Sequence, residues 1–210
     1  MTNRFKYPRT PHLPWSLGSI SDDDCVLKDT RHFEGKLVVI TEKLDGENTS
    51  LYQDYLHARS LNFKSHLSRD WIKRFHAGFA HLIPEGWRLC GENLYAMHSI
   101  AYQNLESYFY LFSIWNQQNE CLSWDQTLEW AKLLDLKTPK ELYKGYWDEK
   151  LIAKLSIDTN HCEGYVVRAS NSFSYETFGQ QVAKWVRPEH NATDQNWMHQ
   201  ATVPNRLSTR

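Results

Sequence analysis

The sequence predicts an α+β fold of mainly antiparallel β-sheets flanked by helices. Three observations carry that expectation. Short β-branched or aromatic segments recur along the chain, some at hairpin spacing; helical patterns are few; and the two kinds do not alternate in the strand–helix order of a doubly wound parallel sheet. With 210 residues, 41% of them apolar, there is material for a sizeable core in one large domain or two small ones.

The first thirty or so residues carry Pro8, Pro11, Pro14 and the acidic run Asp22-Asp23-Asp24, so they read as irregular chain. Tyr7, Leu13 and Trp15 call for burial, which wraps this chain on the domain. Leu37-Val38-Val39-Ile40 is β-branched and apolar, as a buried strand is. Thr49 to Tyr52, a turn at Gln53-Asp54-Tyr55, and Leu56 to Arg59 read as a hairpin. From Ser65 to about Leu82, the residues Leu67, Trp71, Phe75, Phe79 and Leu82 recur at spacings of four and three, forming one helical stripe. Pro84-Glu85-Gly86 ends it. Trp87 to Glu92 is the next strand, and Tyr108 to Trp115 pairs through Gln117-Gln118-Asn119 with Glu120 to Leu122. Ser123 and Gln126 form a capping box that opens a helix to about Leu134, with Leu128, Ala131 and Leu134 on its buried side. A further helix is expected over Asp148 to Leu155, then strands over Gly164 to Ala169 and Gln181 to Val186. The tail with Pro188 and Pro204 reads as irregular or briefly helical.

Composition narrows the function classes. A formal net charge of −1 argues against coating nucleic acid by bulk charge and leaves room for a local basic face. Nine Trp and eleven Tyr serve either a core or stacking on bases. Cys25, Cys90, Cys121 and Cys162 stand far apart without a CxxC pair, so zinc is not expected, and reduced thiols in a cytoplasmic protein are. The start lacks the apolar stretch of a secretory signal, and no run is long enough to span a membrane.

Five segments carry chemistry. Thr41-Glu42-Lys43-Leu44-Asp45-Gly46 sets a lysine, a spacer, an acid and a glycine at the end of an apolar strand. Lys43 is then a candidate amine nucleophile, Asp45 a carboxylate to orient it or to bind metal, and Gly46 a sharp turn beside a ligand; a Lys-Asp pair in an exposed turn reads the same way. Glu92, in Cys90-Gly91-Glu92-Asn93, is either a ribose-binding carboxylate or an acid facing water. In Tyr108 to Trp115, Phe112 and Tyr110 share one face with Ser113 and Phe109 on the reverse, for stacking on a purine or for the core. Glu163-Gly164 precedes a β-branched run, where the carboxylate suits Mg²⁺ as a hard oxygen ligand. Lys184 and Arg187 end a strand with cations that suit a triphosphate. Arg69, Lys73 and Arg74 on the first expected helix offer phosphate contacts or a solvated face.

Taken in order, these segments resemble the covalent nucleotidyltransferase superfamily of ATP-dependent ligases and RNA capping enzymes, over about Leu37 to Arg187. The Thr-Glu-Lys start is most similar to the RNA ligase branch of phage-type and RNA-editing enzymes. The resemblance implies an ATP-grasp-like ligase adenylation domain over residues 1–210, with the nucleotide pocket between sheets and 188–210 a short tail without an OB domain. It implies that Lys43 is adenylated, that Glu42 contacts the adenine amino group, and that Arg59 contacts the sugar or a 5′-phosphate. Glu92 would bind ribose and Phe112, with Tyr110 next, would stack on adenine. Asp45 and Glu163 would support Mg²⁺ or Mn²⁺, and Lys184 would contact the α-phosphate as a catalytic cation. It implies ATP as cosubstrate and, as partner, RNA with 5′-phosphate and 3′-hydroxyl ends, with an accessory RNA-binding subunit if the domain does not seal alone. A guanylyltransferase, a DNA nick ligase and a degenerate nucleotide- or RNA-binding module are the alternatives. Departures are Val186, where the family has a second lysine, leaving open whether Arg187 replaces it with its different geometry, and Phe112-Ser113, where Phe-Asp is frequent. A tail of Glu189 through Asp194 with Trp197-Met198 also resembles small RNA ligase-like proteins.

Overall fold

Strand β1 (Leu37–Lys43) has two distinct faces. Val38 and Ile40 pack with Tyr165, Val167 and Ala183 in a core on one side, while Thr41 and Lys43 border a cavity on the other, as the period-two pleat requires. The computed structural model describes residues 4–16, 18, 24–61, 67–188 and 202–209. The expected helix start at Ser65, Asp22 and Asp23 of the acidic run, and the tail from Glu189 through Met198 lie outside the described residues.

After Leu44–Gly46 the chain changes sheets. It runs through β2 (Glu47–Leu51), β3 (Leu56–Ala58), α1 (Asp70–Ala77), β4 (Arg88–Asn93), β5 (Phe109–Trp115), β6 (Glu120–Cys121) and α2 (Trp124–Leu133). It continues through β7 (Glu141–Tyr146), α3 (Glu149–Ile152), β8 (Gly164–Ala169), β9 (Phe173–Ser174) and β10 (Val182–Val186). The strands form a four-stranded sheet ordered β10-β8-β1-β7 and a six-stranded sheet ordered β3-β2-β4-β5-β6-β9. Every ladder between these strands is antiparallel, so the α+β class read from the sequence is the observed one.

Each sheet has its own outer core. Ile72 of α1 and Ala131 of α2 cover Leu51, Leu89, Leu111 and Ile114 of the six-stranded sheet. Between the sheets, Cys90, Trp115 and Cys121 meet Ala169, Phe173 and Val182. Arg168 of β8 ties the layers: its guanidinium donates to Phe112 O at 3.3 Å and Leu122 O at 2.8 Å and lies over Trp124. The N-terminal chain wraps as expected. Pro11 and Leu13 exchange backbone hydrogen bonds with Lys184 at the β10 edge (2.9 and 2.8 Å), Leu13 is buried, and the Trp15 indole N–H donates to Tyr165 Oη at 2.9 Å.

Several expected elements differ. The helix expected over Ser65 to Leu82 is the eight-residue α1 between 3₁₀ turns at Leu67–Arg69 and Ala80–Leu82. Phe79 leaves helical dihedrals after Gly78, and Leu82 is exposed rather than part of the stripe. The helix expected over Asp148 to Leu155 is the single turn α3, capped by Asp148, which accepts from Leu151 N at 3.0 Å. The Ser123–Gln126 capping box is present in both directions. Strands β7 and β9, absent from the sequence reading, are sheet edges that pair with β1 and β6 and add Leu142, Tyr143 and Phe173 to the neighbouring cores.

Candidate functional site

A cavity of about 710 Å³ lies between the sheets, bordered by β1, β8 and β10 of one and β2, β4 and β5 of the other. Lys43 closes β1 and stands opposite Gly164 in the β1–β8 ladder. Its ammonium contacts the carboxylate of Glu163, which is 2% exposed. The backbone fixes that acid from both sides: Glu163 N–H donates to Lys43 O and its carbonyl accepts from Arg187 N, each at 3.0 Å. Gly164 is required by close approach, since a Cβ there would overlap Trp185 O and lie 3.1 Å from Val186 Cα.

Asp45 is 4% exposed. Its Oδ2 accepts from Ser99 N (2.8 Å), Ser99 Oγ (2.6 Å) and Ile100 N (2.9 Å), and its own N–H donates to Tyr102 Oη at 3.0 Å. Gly46 N–H donates to Glu92 Oε1 at 3.2 Å. A Cβ at Gly46 would come 2.5 Å from Asn93 O, so the turn admits only glycine. The lysine, both acids and the glycine therefore converge as the sequence pattern implied, with Asp45 spending one oxygen on the 99–100 turn.

Burial pushes the Glu92 carboxyl up to about 7, with Asp45 adding to the rise and Lys43 and the Gly46 hydrogen bond opposing it. The ordinary value is 4.5, so between those values the folded chain holds a proton that the unfolded chain has lost. Stability accordingly falls as pH rises through that window. Glu92→Gln is expected to flatten this slope, read from denaturant midpoints between about pH 5 and about pH 8.

The remaining expected residues divide. Phe112 borders the cavity, with Tyr7 set edge-on at 5.2 Å. The face assignment along β5 needs correction. Cys90 pairs with Ser113 and Gly91 with Leu111, so Phe112 is the extra residue of a bulge. The bulge turns Phe112 and Ser113 together toward the cavity. Tyr110 instead packs beside Leu44 and Tyr102 and its hydroxyl accepts from Glu106 N at 3.1 Å; it is not among the cavity residues. Glu42 reaches the cavity rim, and burial raises its carboxyl above the usual range, with Lys140 nearby opposing the rise. Arg59 is exposed at the rim.

Lys184 borders the cavity and lies 3.5 Å from Asp24 Oδ1. Desolvation lowers its ammonium below the ordinary value, with Asp24 opposing. Val186 lies on the same face of β10 and fills the second basic position with an apolar side chain. Arg187 does not replace it. It follows β10, alternates to the other side, donates to Thr159 O at 3.0 Å, and is not among the cavity residues.

Among the cavity residues without a functional reading in the sequence are Arg9, His12, Asp24 and Glu47. His12, held neutral by burial and Lys184 at a value of about 4, sits 3.7 Å from Asp24. Glu47 takes Arg69 Nε on both carboxylate oxygens at 3.0 and 2.9 Å, which turns the Arg69 read as a helix-face cation into a buried cavity residue. No short-range pattern announces these contacts. Among the described residues no cluster of three or more His, Cys, Asp or Glu forms a ready metal cage. The donors present are separate carboxylates, which fits a hard cation held by one or two acids with ligand phosphates and water.

No curated protein matches the chain. Among solved structures, a Naegleria gruberi RNA ligase variant with ATP and Mn aligns at a TM-score of 0.52 and 18% identity, covering 75% of this chain and 51% of that one. A second variant, with AMP and Mn, gives 0.53 and 16% over 88% and 62%; a third, without ligand, gives 0.54 and 17% over 87% and 61%. At such identity the likeness is one of fold, and the chain spans only about half to three fifths of their length. A model of the RNA ligase family matches residues 36–186, from just before β1 to the end of β10. More than half of the sequence is so matched, and the chain belongs to the RNA ligase family.

Proposed function

We propose that this chain is an ATP-dependent RNA ligase that works through a covalent lysyl-AMP at Lys43. The observation that carries the reading is the placement of Lys43 on the wall of the inter-sheet cavity, against buried Glu163, with Glu92, Phe112 and Lys184 on the surrounding walls. The family match and the ATP-, AMP- and Mn-containing Naegleria ligases of the same fold support it.

The residues divide the work. Phe112 stacks on adenine and Glu92 accepts from ribose hydroxyls; Glu42 reads the base edge, and Arg59 takes the sugar or the 5′-phosphate end. Lys184 offsets the charge of the phosphate under attack. Attack requires the Lys43–Glu163 pair to open and the amine to lose its proton. The Lys43 nitrogen then forms a bond to the α-phosphorus as pyrophosphate leaves. AMP next passes to the 5′-phosphate of an RNA strand, freeing Lys43, and a 3′-hydroxyl displaces AMP to form the phosphodiester. Asp45, through Oδ1, and Glu163 would hold Mg²⁺ or Mn²⁺, which when bound offsets phosphate charge.

Intact mass after incubation with ATP and Mg²⁺ tests the first step, and adding 5′-phosphorylated RNA tests the others. One AMP per chain, then joined RNA, is the expected result. Absence of an adduct would leave a nucleotide- or RNA-binding module, and label from GTP alone a guanylyltransferase. An adduct without joined RNA would point to an accessory RNA-binding subunit. Phe112→Ala is expected to weaken ATP binding by about tenfold, the ~1.4 kcal/mol of a base–aromatic stack, in calorimetric titrations.

A further inference from the structure

Residues 202–209 extend neither sheet. They follow the stretch that the family model matches and lie across the loop after β4, which that stretch includes. Asn205 is 4% exposed. Its Oδ1 accepts from Tyr102 N at 2.9 Å, and its Nδ2 donates to Leu94 O at 2.7 Å and Ala96 O at 3.4 Å. Its backbone N–H donates to Tyr95 O at 2.9 Å, and its carbonyl accepts from Tyr108 Oη at 2.9 Å. On either side, Met97 N donates to Val203 O, Leu105 N to Arg206 O and Arg206 N to Tyr102 O, at 2.8 to 3.0 Å. A buried amide satisfied this fully fixes the geometry of whatever it joins, because losing any one bond leaves a buried polar group unpaired.

What it joins is the loop that holds Asp45. The Ser99 and Ile100 amides and the Ser99 hydroxyl grip Asp45 Oδ2, and Tyr102 Oη accepts from Asp45 N. Asp45 follows Lys43 by two residues. The strap itself supplies no residue to the cavity, so any effect it has on chemistry passes through the 94–105 loop: Tyr102, the 99–100 turn, and Leu94, which packs beside Leu44 and Gly46.

We propose that Asn205 is a positioning residue for attack by Lys43: by clamping the 94–105 loop it sets Asp45, and through Asp45 the strand end that carries the nucleophile. The proposal rests on the adenylation reading above. It separates from a purely structural role by what changes. A merely structural strap alters the folded fraction and leaves the rate per folded molecule alone. A positioning strap slows adduct formation at saturating ATP while the KM for ATP, set by Phe112 and Glu92, stays nearly constant.

The test uses the full chain as wild type, Asn205→Ala, Asn205→Asp and Tyr102→Phe, the last leaving the strap intact while removing the hydroxyl that Asp45 uses. Adduct formation is timed by intact mass with ATP and Mg²⁺, and hydrogen exchange is followed at the Ser99 and Ile100 amides. Expected are a slowing of about tenfold or more in Asn205→Ala and Tyr102→Phe at saturating ATP, faster exchange at both amides in Asn205→Ala, and no recovery in Asn205→Asp, which keeps the acceptor for Tyr102 N but sets a carboxylate oxygen against Leu94 O and Ala96 O with no donor between them. Unchanged rates per folded molecule in both Asn205→Ala and Tyr102→Phe overturn the proposal. Should Asn205→Ala fail to fold, the rate of Tyr102→Phe decides alone. A wild type without adduct overturns the adenylation reading instead, and amide exchange then decides the strap's link to Asp45: faster exchange supports it and unchanged exchange removes it.

Discussion

Replacing Lys43 by arginine is expected to abolish covalent AMP entirely while leaving the chain folded. Arginine retains a cation for Glu163, whose carboxylate is almost wholly buried and would otherwise lose its partner. A guanidinium does not give up its proton in a protein and so offers no free lone pair. Lys43→Ala removes the amine as well but leaves that carboxylate buried, so its loss of adduct mixes chemistry with stability. Comparing the two by intact mass and thermal melting separates these contributions. Residual adduct in Lys43→Arg would move the nucleophile to another amine, with Lys184 the first to examine.

The second large effect is expected at Gly164. This residue pairs with Lys43 on one side and Val186 on the other, and a methyl group would be driven into the backbone of Trp185. Backbone cannot swing aside as a long side chain can, so β10 must shift relative to β8. We expect Gly164→Ala to cost about 3 kcal/mol of stability, read from denaturant midpoints. It should also lower adduct formation in whatever fraction remains folded, because Lys184 rides on β10. Wild-type stability in this variant would mean that β10 is held more loosely than its ladder indicates.

These two positions also show what a sequence makes legible. The β-branched run ending in Lys43-Leu44-Asp45-Gly46 and the Glu163-Gly164 step are local signals, each complete within a few residues. So is the Ser123–Gln126 box. Strand β7 is different: Glu141-Leu142-Tyr143-Lys144-Gly145-Tyr146 mixes charged, aromatic and flexible residues, and it becomes a strand only because β1 supplies a partner. The orientation of Ser113 depends on a bulge, which is a property of the β4–β5 register and not of β5 alone. Charge alone points Arg187 at a triphosphate, and strand alternation sends it away from the cavity. Arg9, His12 and Asp24 reach the site because the N-terminal chain is pinned to the edge of β10, a contact between opposite ends of the sequence.

The passage of the chain from one sheet to the other at Leu44–Gly46 has a consequence for when the protein becomes competent. Glu163 and Lys184 belong to the four-stranded side of that seam, and Glu92 and Phe112 to the six-stranded side. Lys43 stands at the stitch. On the proposed reading, a chain with only one sheet assembled would give Lys43 half its surroundings, and the amine would be armed only when both halves close on each other. Nucleotide charging would then report that both sheets are in place.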